Sequence, residues 1–388
     1  MKILFTTYSG LGIGGAEVSM GLLVKGLRKK GHKVIISSSG DYEGGIKFKK
    51  FRKIPFYSFH NKYLVKVFSK IVKENKIEII HAQDRLTSIA AIRTAKKFRI
   101  PVVLHFRDYW FACPRSSCLA PDFSEYEVCN YGIILKKYPV KRWLWDIYKW
   151  RYIKSRRGEI DEADLKFANS SVVKRRLERC GIRKNVKVLP ILRDFQDITG
   201  DGKRIKNKYG LKKIVITFIG SLHYHKGIMN MLTIMPSILS ERDNVSFLIV
   251  GDGPLYEEIN NRAYKDVILT GRLKGDEIPD VYEASDIVLL PSVWQEPLSG
   301  VLLEAAAHKK VIISSNTGGS KDILDQKFMI NPFDLNNWKE RILELIDDEK
   351  LRNKLGNEWG DIARKKYNIP VIAERVEMEY ENVRDCRI

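Results

Sequence analysis

Short apolar segments alternate with amphipathic segments along most of the chain. In the first half, strand-like segments lie at residues 2–7, 33–38, 77–81, 101–106, 164–168 and 186–189, and helix-like segments lie at 16–30, 87–98 and 172–180. In the second half, strand-like segments lie at 214–220, 245–251, 267–270, 287–290 and 311–314, with helix-length segments between them. This alternation predicts parallel sheets whose two faces are covered by helices.

A polar segment at residues 194–208 separates the two halves, because it is rich in Gly and Asp and lacks an apolar period. We therefore predict an α/β protein with two Rossmann-like, doubly wound domains that face a cleft, at residues 1–195 and 196–366. Ligands of such folds bind at the carboxyl ends of the strands, so we expect the site in that cleft. The end of the chain is predicted to be helical with a break at 368–370. We expect residues 367–388 to cross back to the N-terminal domain as a helix.

The composition narrows the class of protein. The chain has 388 residues, of which 44% are hydrophobic, and no apolar run reaches the roughly 18 residues of a transmembrane helix. Its first residues form a strand-like segment instead of a secretory signal peptide. Five cysteines are too few for a disulfide scaffold, so we expect a cytoplasmic protein.

The positive charge is concentrated in the first half of the chain. Residues 1–200 contain 41 Lys and Arg against 18 Asp and Glu, whereas residues 201–388 contain 27 against 29. This asymmetry favours an anionic partner for the first half. A Lys-rich composition is also typical of thermophiles and AT-rich genomes, so the charge alone does not identify that partner.

One segment of the first half combines positive charge with aromatic side chains. Residues 136–157 contain three tryptophans and three tyrosines among Lys and Arg, which suits the headgroup region of an anionic membrane. The alternative is a helix packed into the first domain with a solvated basic edge. A nucleic-acid-binding protein is a rival interpretation, but the chain has no RNP-like, zinc-finger or evident helix-turn-helix signature. We therefore expect no nucleic-acid partner.

A glycine-rich loop follows the first predicted strand. Gly10, Gly12 and Gly15 have the spacing of a dinucleotide-binding loop. However, the second predicted strand ends in serines at residues 37–39 and lacks the acid that would bind the ribose of NAD. The loop therefore predicts either close approach of a ligand to backbone N–H groups or simply a tight turn.

The second half contains further candidate phosphate-binding turns. Lys226, in the loop at 220–227, can neutralise a phosphate, and a second turn lies at 251–254. Glu296 and Glu304 are separated by seven residues, and Ser299 between them predicts the N-cap of a helix. The N-terminus of that helix would offer its N–H groups to a diphosphate.

These motifs occur in the order found in a known family. Residues 14–17 (GGAE), 220–227, 251–254 (GDGP), 284–292 and the Glu-x7-Glu pair resemble family 4 glycosyltransferases of the GT-B fold, over nearly the whole chain. Each motif alone is weak, whereas five in order with matching spacing are a specific signal. The resemblance implies that residues 1–195 bind the acceptor and residues 196–366 bind a nucleotide sugar.

The resemblance also implies roles for individual residues. Glu304 would bind the nucleotide ribose, Glu296 would approach hydroxyls of the transferred sugar, and Lys226 would neutralise the leaving group. The implied donor-binding residues are Gly14, Gly15, Ser221, Lys226, Gly251, Ser299, Gly300, Val301 and Glu304, and the implied catalytic residues are Glu296, His105 and Arg107.

The chain departs from the family pattern in three places. Ser221 stands where many relatives have an arginine, so one cation is missing, and Leu298-Ser299 replaces a Phe-Gly pair. Arg107 occupies the usual place of a histidine. His105 lies two residues earlier and would share a strand face with Arg107.

The implied activity is retaining transfer of a sugar from a UDP- or GDP-sugar to a lipid-linked glycan or polysaccharide precursor at the inner membrane face. It implies no cofactor and no metal. The alternatives are an NAD(P)-dependent oxidoreductase, a nucleotide-sugar-modifying enzyme such as an epimerase, and an inactive relative. Cys113, Cys118 and Cys129 could bind a metal or form a disulfide, but without a clear fourth ligand reduced, packed thiols are favoured.

Overall fold

The computed structural model describes residues 1–9, 15–50, 57–195, 198–262 and 264–386. These residues form two compact units, one of residues 1–192 with 369–388 and the other of residues 193–368. Each unit contains a parallel sheet with flanking helices, which confirms the predicted α/β class and doubly wound architecture. None of the described helices has both the length and the apolar composition of a membrane span.

The described residues of the first unit form a seven-stranded parallel sheet. Its elements up to residue 188 are β1 (Lys2–Thr6), α1 (Gly15–Lys29), β2 (Lys33–Ser38), β3 (Ile46–Lys47), α2 (Tyr57–Asn75), β4 (Ile79–Ala82), α3 (Arg85–Phe98), β5 (Val102–Phe106), α4 (Tyr131–Lys137), α5 (Trp143–Asp161), β6 (Leu165–Ala168), α6 (Ser171–Arg179) and β7 (Val186–Val188). The strand order is β3-β2-β1-β4-β5-β6-β7. The direction in which the chain adds strands therefore reverses between β1 and β4.

The described residues of the second unit form a six-stranded parallel sheet. Its elements are α7 (Gly202–Tyr209), β8 (Ile214–Ile219), α8 (Ile228–Glu241), β9 (Val245–Val250), α9 (Tyr256–Asn260), β10 (Val267–Gly271), α10 (Ile278–Ala284), β11 (Ile287–Leu290), α11 (Gly300–Ala307), β12 (Val311–Ser315), β13 (Met329–Ile330), α12 (Leu335–Asp347) and α13 (Glu349–Lys366). The strand order is β10-β9-β8-β11-β12-β13, so the reversal lies between β8 and β11. All residues of β9 and β11 are buried, which explains why both strands are apolar apart from Ser246.

The last helix, α14 (Ile369–Asp385), belongs to the first unit. It packs closely on α1, because a Cβ atom on Gly26 would lie 2.7 Å from Cγ2 of Ile369 and 2.9 Å from Cβ of Ala373. Buried side chains of α14, including Tyr380, join the core that β1 and α1 form. A glycine at position 26 thus permits the contact between the two helices.

The polar segment at 194–208 differs from the expectation, because part of it is the helix α7. Asp201 caps this helix by accepting a hydrogen bond from the N–H of Arg204 at 3.2 Å, and Gly210 ends it in a left-handed conformation. Ile205 provides its buried side chain and packs in the same cluster as Val281 of α10. One buried position in about two turns gives no apolar period, so the sequence pattern did not indicate a helix here.

Candidate active site

The carboxyl ends of β8 and β11 lie side by side where the strand order of the second unit reverses. Ligands of doubly wound sheets bind at such a reversal. The segment after β8 contains Lys226, and the segment after β11 contains Glu296 and Ser299. The fold therefore brings these sequence motifs to one edge of the sheet.

Lys226 and Glu296 form an ion pair at this edge. Nζ of Lys226 lies 2.7 Å from Oε1 of Glu296, and the hydroxyl of Ser292 donates to Oε2 at 2.9 Å. The two charged side chains are 21% and 20% exposed, so a ligand can reach both. Burial raises the pKa of Glu296, but Lys226 and Ser292 outweigh burial and hold the pKa below its ordinary value. Glu296 is therefore a hydrogen-bond acceptor at neutral pH.

Two glycines let the backbone segments around Glu296 pass close to one another. Gly227 has a φ of +75°, and a Cβ atom there would lie 1.8 Å from the carbonyl oxygen of Pro291. Gly318 has a φ of +64°, and a Cβ atom there would lie 1.9 Å from the carbonyl oxygen of Glu296. Any larger residue at either position would displace backbone atoms, so these contacts fix the path of the site loops.

The helix α11 begins directly after the loop that carries Glu296. Ser299 is its N-cap residue in an extended conformation, and its side chain makes no capping hydrogen bond to the described residues. Gly300 and Val301 follow in the first turn and are half-buried. First-turn N–H groups have no partner within a helix. This end of α11 therefore has the polarity to bind an anion.

Glu304 lies on the second turn of α11 and has two partners. Its Oε1 accepts a hydrogen bond from Nε–H of Arg193 at 2.6 Å, and its Oε2 accepts one from the hydroxyl of Tyr282 at 2.8 Å. The same guanidinium group covers the start of α11, because a Cβ atom on Gly300 would lie 1.7 Å from Nη2. The side chain of Glu304 is 33% exposed, so its carboxylate is accessible despite this pairing.

The other two predicted donor-site residues of the second unit lie on the turns after β8 and β9. Ser221 is exposed on the first of these turns. Gly251 follows β9, and a Cβ atom there would lie 1.8 Å from the carbonyl oxygen of Gly220. The glycine at 251 thus lets the two turns touch at the edge of the sheet.

The first unit has a cavity at its own strand reversal, between β1 and β4. The cavity has a volume of about 130 Å³ and is lined by Thr7, Ala16, Glu17, Met20, Gln83, Asp84, Arg107, Asp108 and Trp110. Asp84 caps α3 and also accepts a hydrogen bond from the N–H of Tyr8 at 2.5 Å. Burial raises the pKa of Asp108 to about 6, against the opposing effects of the Trp110 N–H and the charge of Arg85. Carboxyl, amide and guanidinium groups together suit this cavity to a ligand with several hydroxyl groups.

Arg107 and His105 lie at the end of β5 with different surroundings. Arg107 lines the cavity, and its Nη1–H donates to the carbonyl oxygen of Ala16 in the first turn of α1. His105 is only 2% exposed, and its ring stacks on His81 at a centroid distance of 5.6 Å. Nδ1 of His105 lies 3.4 Å from Nη2 of Arg107, and burial followed by the Arg107 charge lowers the pKa of His105 well below its ordinary value. The structure thus places Arg107 at the cavity and a neutral His105 behind it.

The glycine-rich loop after β1 is described only at its end. Gly15 is the exposed first residue of α1. Gly10, Gly12 and Gly14 lie outside the described residues.

Each unit also has candidate site residues that the sequence did not single out. Gln83 and Asp84 directly follow β4, and polar residues at the carboxyl end of a predicted strand were a usable signal. Arg193 and Tyr282 have no comparable signal, because they reach α11 from segments far away in the sequence.

The first unit has four buried free cysteines, at positions 113, 118, 129 and 180, and one exposed free cysteine, Cys386. Sγ of Cys113 lies 2.8 Å from the hydroxyl of Tyr126. Among the described residues, no group of three or more His, Cys, Asp or Glu side chains is arranged to hold a metal ion. The four buried thiols therefore belong to the interior of the first unit.

Residues 136–157 are the end of α4, a short connection and most of α5. Trp150 is 7% exposed, and Tyr148 stacks on a tyrosine ring of α2 at 5.7 Å. Val140 and Leu144, in contrast, are 71% and 89% exposed. Several aromatic rings of the segment therefore pack within the unit, and its exposed apolar surface lies at the start of α5.

Two family models match consecutive parts of the chain. Residues 13–194 match the model described as Glycosyltransferase Family 4. Residues 213–348 match the model described as Glycosyl transferases group 1. Together the two matches cover most of both units.

Curated proteins are also similar to the chain. Spore coat protein SA of Bacillus subtilis is 29% identical over 207 residues, which are 48% of this chain and 55% of that protein. Alpha-monoglucosyldiacylglycerol synthase of Streptococcus pneumoniae is 24% identical over 352 residues, which are 84% of this chain and 73% of that protein. The chain spans about half the length of the first curated relatives that it matches.

The fold is shared with solved structures. HepE of Anabaena, in complex with UDP, has a TM-score of 0.74 and 20% identity, covering 98% of this chain and 100% of that chain. At 20% identity, this similarity shows that the fold is shared. The two family models match the amino-acid sequence of each unit. The chain therefore belongs to the family 4 glycosyltransferases of the GT-B fold.

Proposed function

We propose that the chain transfers a hexose from a nucleoside diphosphate sugar to a lipid-linked glycan or polysaccharide precursor, with retention of the anomeric configuration. The observation that carries the proposal is the Lys226–Glu296 pair in the loop before α11. Departure of a nucleoside diphosphate builds negative charge on its oxygens. An ammonium group and a helix N-terminus stabilise that charge more in the transition state than in the ground state.

Six residues of the second unit have a role in this proposal. Backbone N–H groups of Ser299, Gly300 and Val301 bind the diphosphate, and Glu304 binds the hydroxyls of the nucleotide ribose. Glu296 accepts hydrogen bonds from hydroxyls of the transferred sugar, and its lowered pKa supports this role because an ionised carboxylate is a strong acceptor. Lys226 and the helix end supply positive charge to the leaving group, so the proposed reaction uses no divalent metal.

The identity of the donor and acceptor is proposed from the relatives. HepE is described in complex with UDP, which supports a UDP-sugar, with a GDP-sugar as the other member of the proposed donor class. The Streptococcus pneumoniae relative is named for a glucosylated diacylglycerol, which supports a lipid-linked acceptor. We propose that hydroxyls of the acceptor enter the cavity of the first unit beside Arg107 and Asp108.

Peripheral attachment to the cytoplasmic face of a membrane belongs to the same proposal. The first 200 residues carry 41 Lys and Arg against 18 Asp and Glu, and Val140 and Leu144 are exposed beside Lys141. Basic side chains around exposed apolar ones are typical of surfaces that bind anionic lipids.

A panel of nucleotide sugars tests the proposed reaction. We expect one UDP- or GDP-sugar to raise the melting temperature and to release the nucleoside diphosphate when acceptor lipid is present. Lys226→Met should lower the release at least about tenfold, because the leaving group loses its cation. Lys212→Met is the matched control, since Lys212 also pairs with a carboxylate of the second unit, Asp266, at 2.8 Å.

The outcomes separate the proposal from its alternatives. Stabilisation by NADH without any effect of nucleotide sugars would favour an oxidoreductase, although β2 ends in serines and lacks a ribose-binding acid. If Lys226→Met and Lys212→Met released nucleoside diphosphate at the same rate, the role of Lys226 would be contradicted.

A further inference from the structure

Arg193 is held in a fixed position at the beginning of the second unit. Its backbone pairs with Asn368, and its N–H donates to the carbonyl oxygen of Tyr367 at 3.1 Å. Its side chain is 10% exposed. The guanidinium group is therefore part of the structure of this unit and not a freely moving surface charge.

The guanidinium group lies against the N-terminus of α11. Nε–H donates to Glu304 at 2.6 Å. A Cβ atom on Gly300 would lie 1.7 Å from Nη2 and 2.7 Å from Cζ, so the absent side chain of Gly300 leaves the space that Arg193 fills. The first residue of α11 and Arg193 thus form one surface.

This position is electrostatically unusual. The N-terminus of a helix carries partial positive charge, so a cation beside it is unfavourable unless an anion is also present. Glu304 supplies one negative charge, on the second turn. The side chain of Ser299, which could satisfy a first-turn N–H, makes no capping hydrogen bond to the described residues. A guanidinium group and a helix end that converge in this way are suited to bind an anion.

The charges at the site also leave a role for a second cation. Lys226 shares its charge with Glu296 at 2.7 Å. Ser221, in the turn after β8, contributes no charge. A diphosphate at neutral pH carries more than one negative charge, so Lys226 alone does not balance it.

We propose that Arg193 is a phosphate-binding residue that holds the diphosphate of the donor together with the first turn of α11. This inference rests on the proposed function, because the anion is the diphosphate of a nucleotide sugar. The planar guanidinium group binds phosphate oxygens in pairs. Its pairing with Glu304 positions it for that contact and links phosphate binding to the carboxylate that binds the ribose.

Comparison of a nucleoside with its diphosphate isolates this role. Affinities of UDP and uridine, or of GDP and guanosine where the donor panel selects guanine, are measured for Arg193→Gln by titration calorimetry and ligand-observed NMR. We expect the diphosphate to bind about tenfold to a hundredfold more weakly, and the nucleoside to change less than about threefold. Arg193→Lys should weaken diphosphate binding less than Arg193→Gln does, because lysine keeps the positive charge. Some affinity should still be lost, because lysine lacks the paired donors of arginine.

Two further variants distinguish a loss of phosphate binding from a general disturbance of the fold. Gly300→Ala keeps Arg193 but displaces its guanidinium group. It should therefore also weaken binding of the diphosphate more than binding of the nucleoside. Arg242→Gln is the matched control, because Arg242 makes a paired contact with Asp347, at 2.9 and 2.6 Å, elsewhere in the unit.

The results distinguish this inference from the proposed function. If Arg193→Gln weakened binding of nucleoside and diphosphate equally, Arg193 would only position Glu304. If neither affinity changed, Arg193 would have no role in ligand binding. Either result overturns the inference, while diphosphate binding by the unchanged protein still supports the proposed function. An unchanged protein that binds no nucleoside diphosphate overturns both.

Discussion

Two carboxyl groups at the strand reversals have opposite environments. Glu296 is held below its ordinary pKa because Lys226 and Ser292 outweigh the effect of burial. The pKa of Asp108 rises to about 6, because burial outweighs the Trp110 N–H and the charge of Arg85. Partners therefore decide which acid stays ionised, and the two acids are suited to different tasks.

The charge of Glu296 can be tested by Glu296→Gln. We expect turnover to fall about a hundredfold, because a charge-assisted contact to the transferred sugar is lost. Affinity for the nucleoside diphosphate should not fall, since that ligand lacks the transferred sugar and Lys226 no longer shares its charge with a carboxylate. Steady-state kinetics and calorimetry measure the two effects separately.

Glu304→Ala is the reciprocal variant. We expect it to weaken nucleotide binding more than it lowers turnover, because it removes the proposed ribose contact. Unchanged nucleotide affinity and turnover in both variants would contradict the roles assigned to the pair.

The raised pKa of Asp108 predicts a pH-dependent stability difference from Asp108→Asn. The folded-state pKa of about 6 lies above the ordinary value of 3.8, so the folded protein binds this proton more tightly than the unfolded protein. Its stabilising effect is present at low pH and is lost as the pH rises from about 4 to about 6. The asparagine variant should therefore gain relative stability over that interval, by at most about 3 kcal/mol.

Urea unfolding of both proteins at several pH values measures this difference. Asp84, whose pKa burial also raises, is present in both proteins, and its charge is one of the causes of the raised pKa of Asp108. A difference in the free energy of unfolding that is constant with pH would contradict the raised pKa of Asp108.

The helix α5 combines packing and exposure within one element. Trp150 is buried, and its indole N–H donates to the carbonyl oxygen of Cys129 at 2.7 Å. Leu144, one residue after the helix begins, is 89% exposed, and Val140 just before the helix is 71% exposed. The packed aromatic rings attach the helix to the unit, while its first turn presents apolar side chains to the solvent.

Replacement of both exposed residues, Val140→Asn with Leu144→Asn, tests this surface. We expect less flotation with vesicles that contain anionic lipid, because apolar area and basic charge act together in membrane binding. The free energy of unfolding should change by less than about 0.5 kcal/mol, since both side chains are exposed.

Phe333→Asn is the matched control for that experiment. Phe333 is 65% exposed and belongs to the second unit. A protein that remains unbound at low salt before any substitution, or equal flotation of both variants, would contradict membrane binding through this surface.

The elements that the sequence predicted are those with a strong local signal. The start of α11 after Ser299 followed from one capping residue and an apolar run. The helix α7 was missed, because Ile205 is its buried position and a longer apolar period is absent. Arg193 was missed for another reason. Its contact with Glu304 joins residues 111 positions apart, and such a contact depends on the folded backbone.

The two units of the molecule have different chain connectivity. The second unit is continuous from residue 193 to 368, whereas the first requires residues 369–388 in addition to 1–192. Side chains of α14 complete the core around β1 and α1. The first unit can therefore close its core only after residues 369–388 have been synthesised.

Tyr380 tests how far the first unit depends on α14. Its ring is fully buried, and its hydroxyl lies 2.6 Å from Nδ1 of His81 in β4. We expect Tyr380→Ala to lower the free energy of unfolding of the first unit by about 3–5 kcal/mol, because it leaves a cavity in the core. Tyr380→Phe should lower it by about 1–3 kcal/mol, because the ring remains and only a buried hydrogen bond is lost.

Hydrogen exchange during urea unfolding follows the units separately, and the second unit should keep its stability in both variants. If both substitutions lowered the free energy of unfolding of the first unit equally, the ring of Tyr380 would not be needed to fill its core. If both units lost the same free energy, the effect of α14 would not be specific to the first unit.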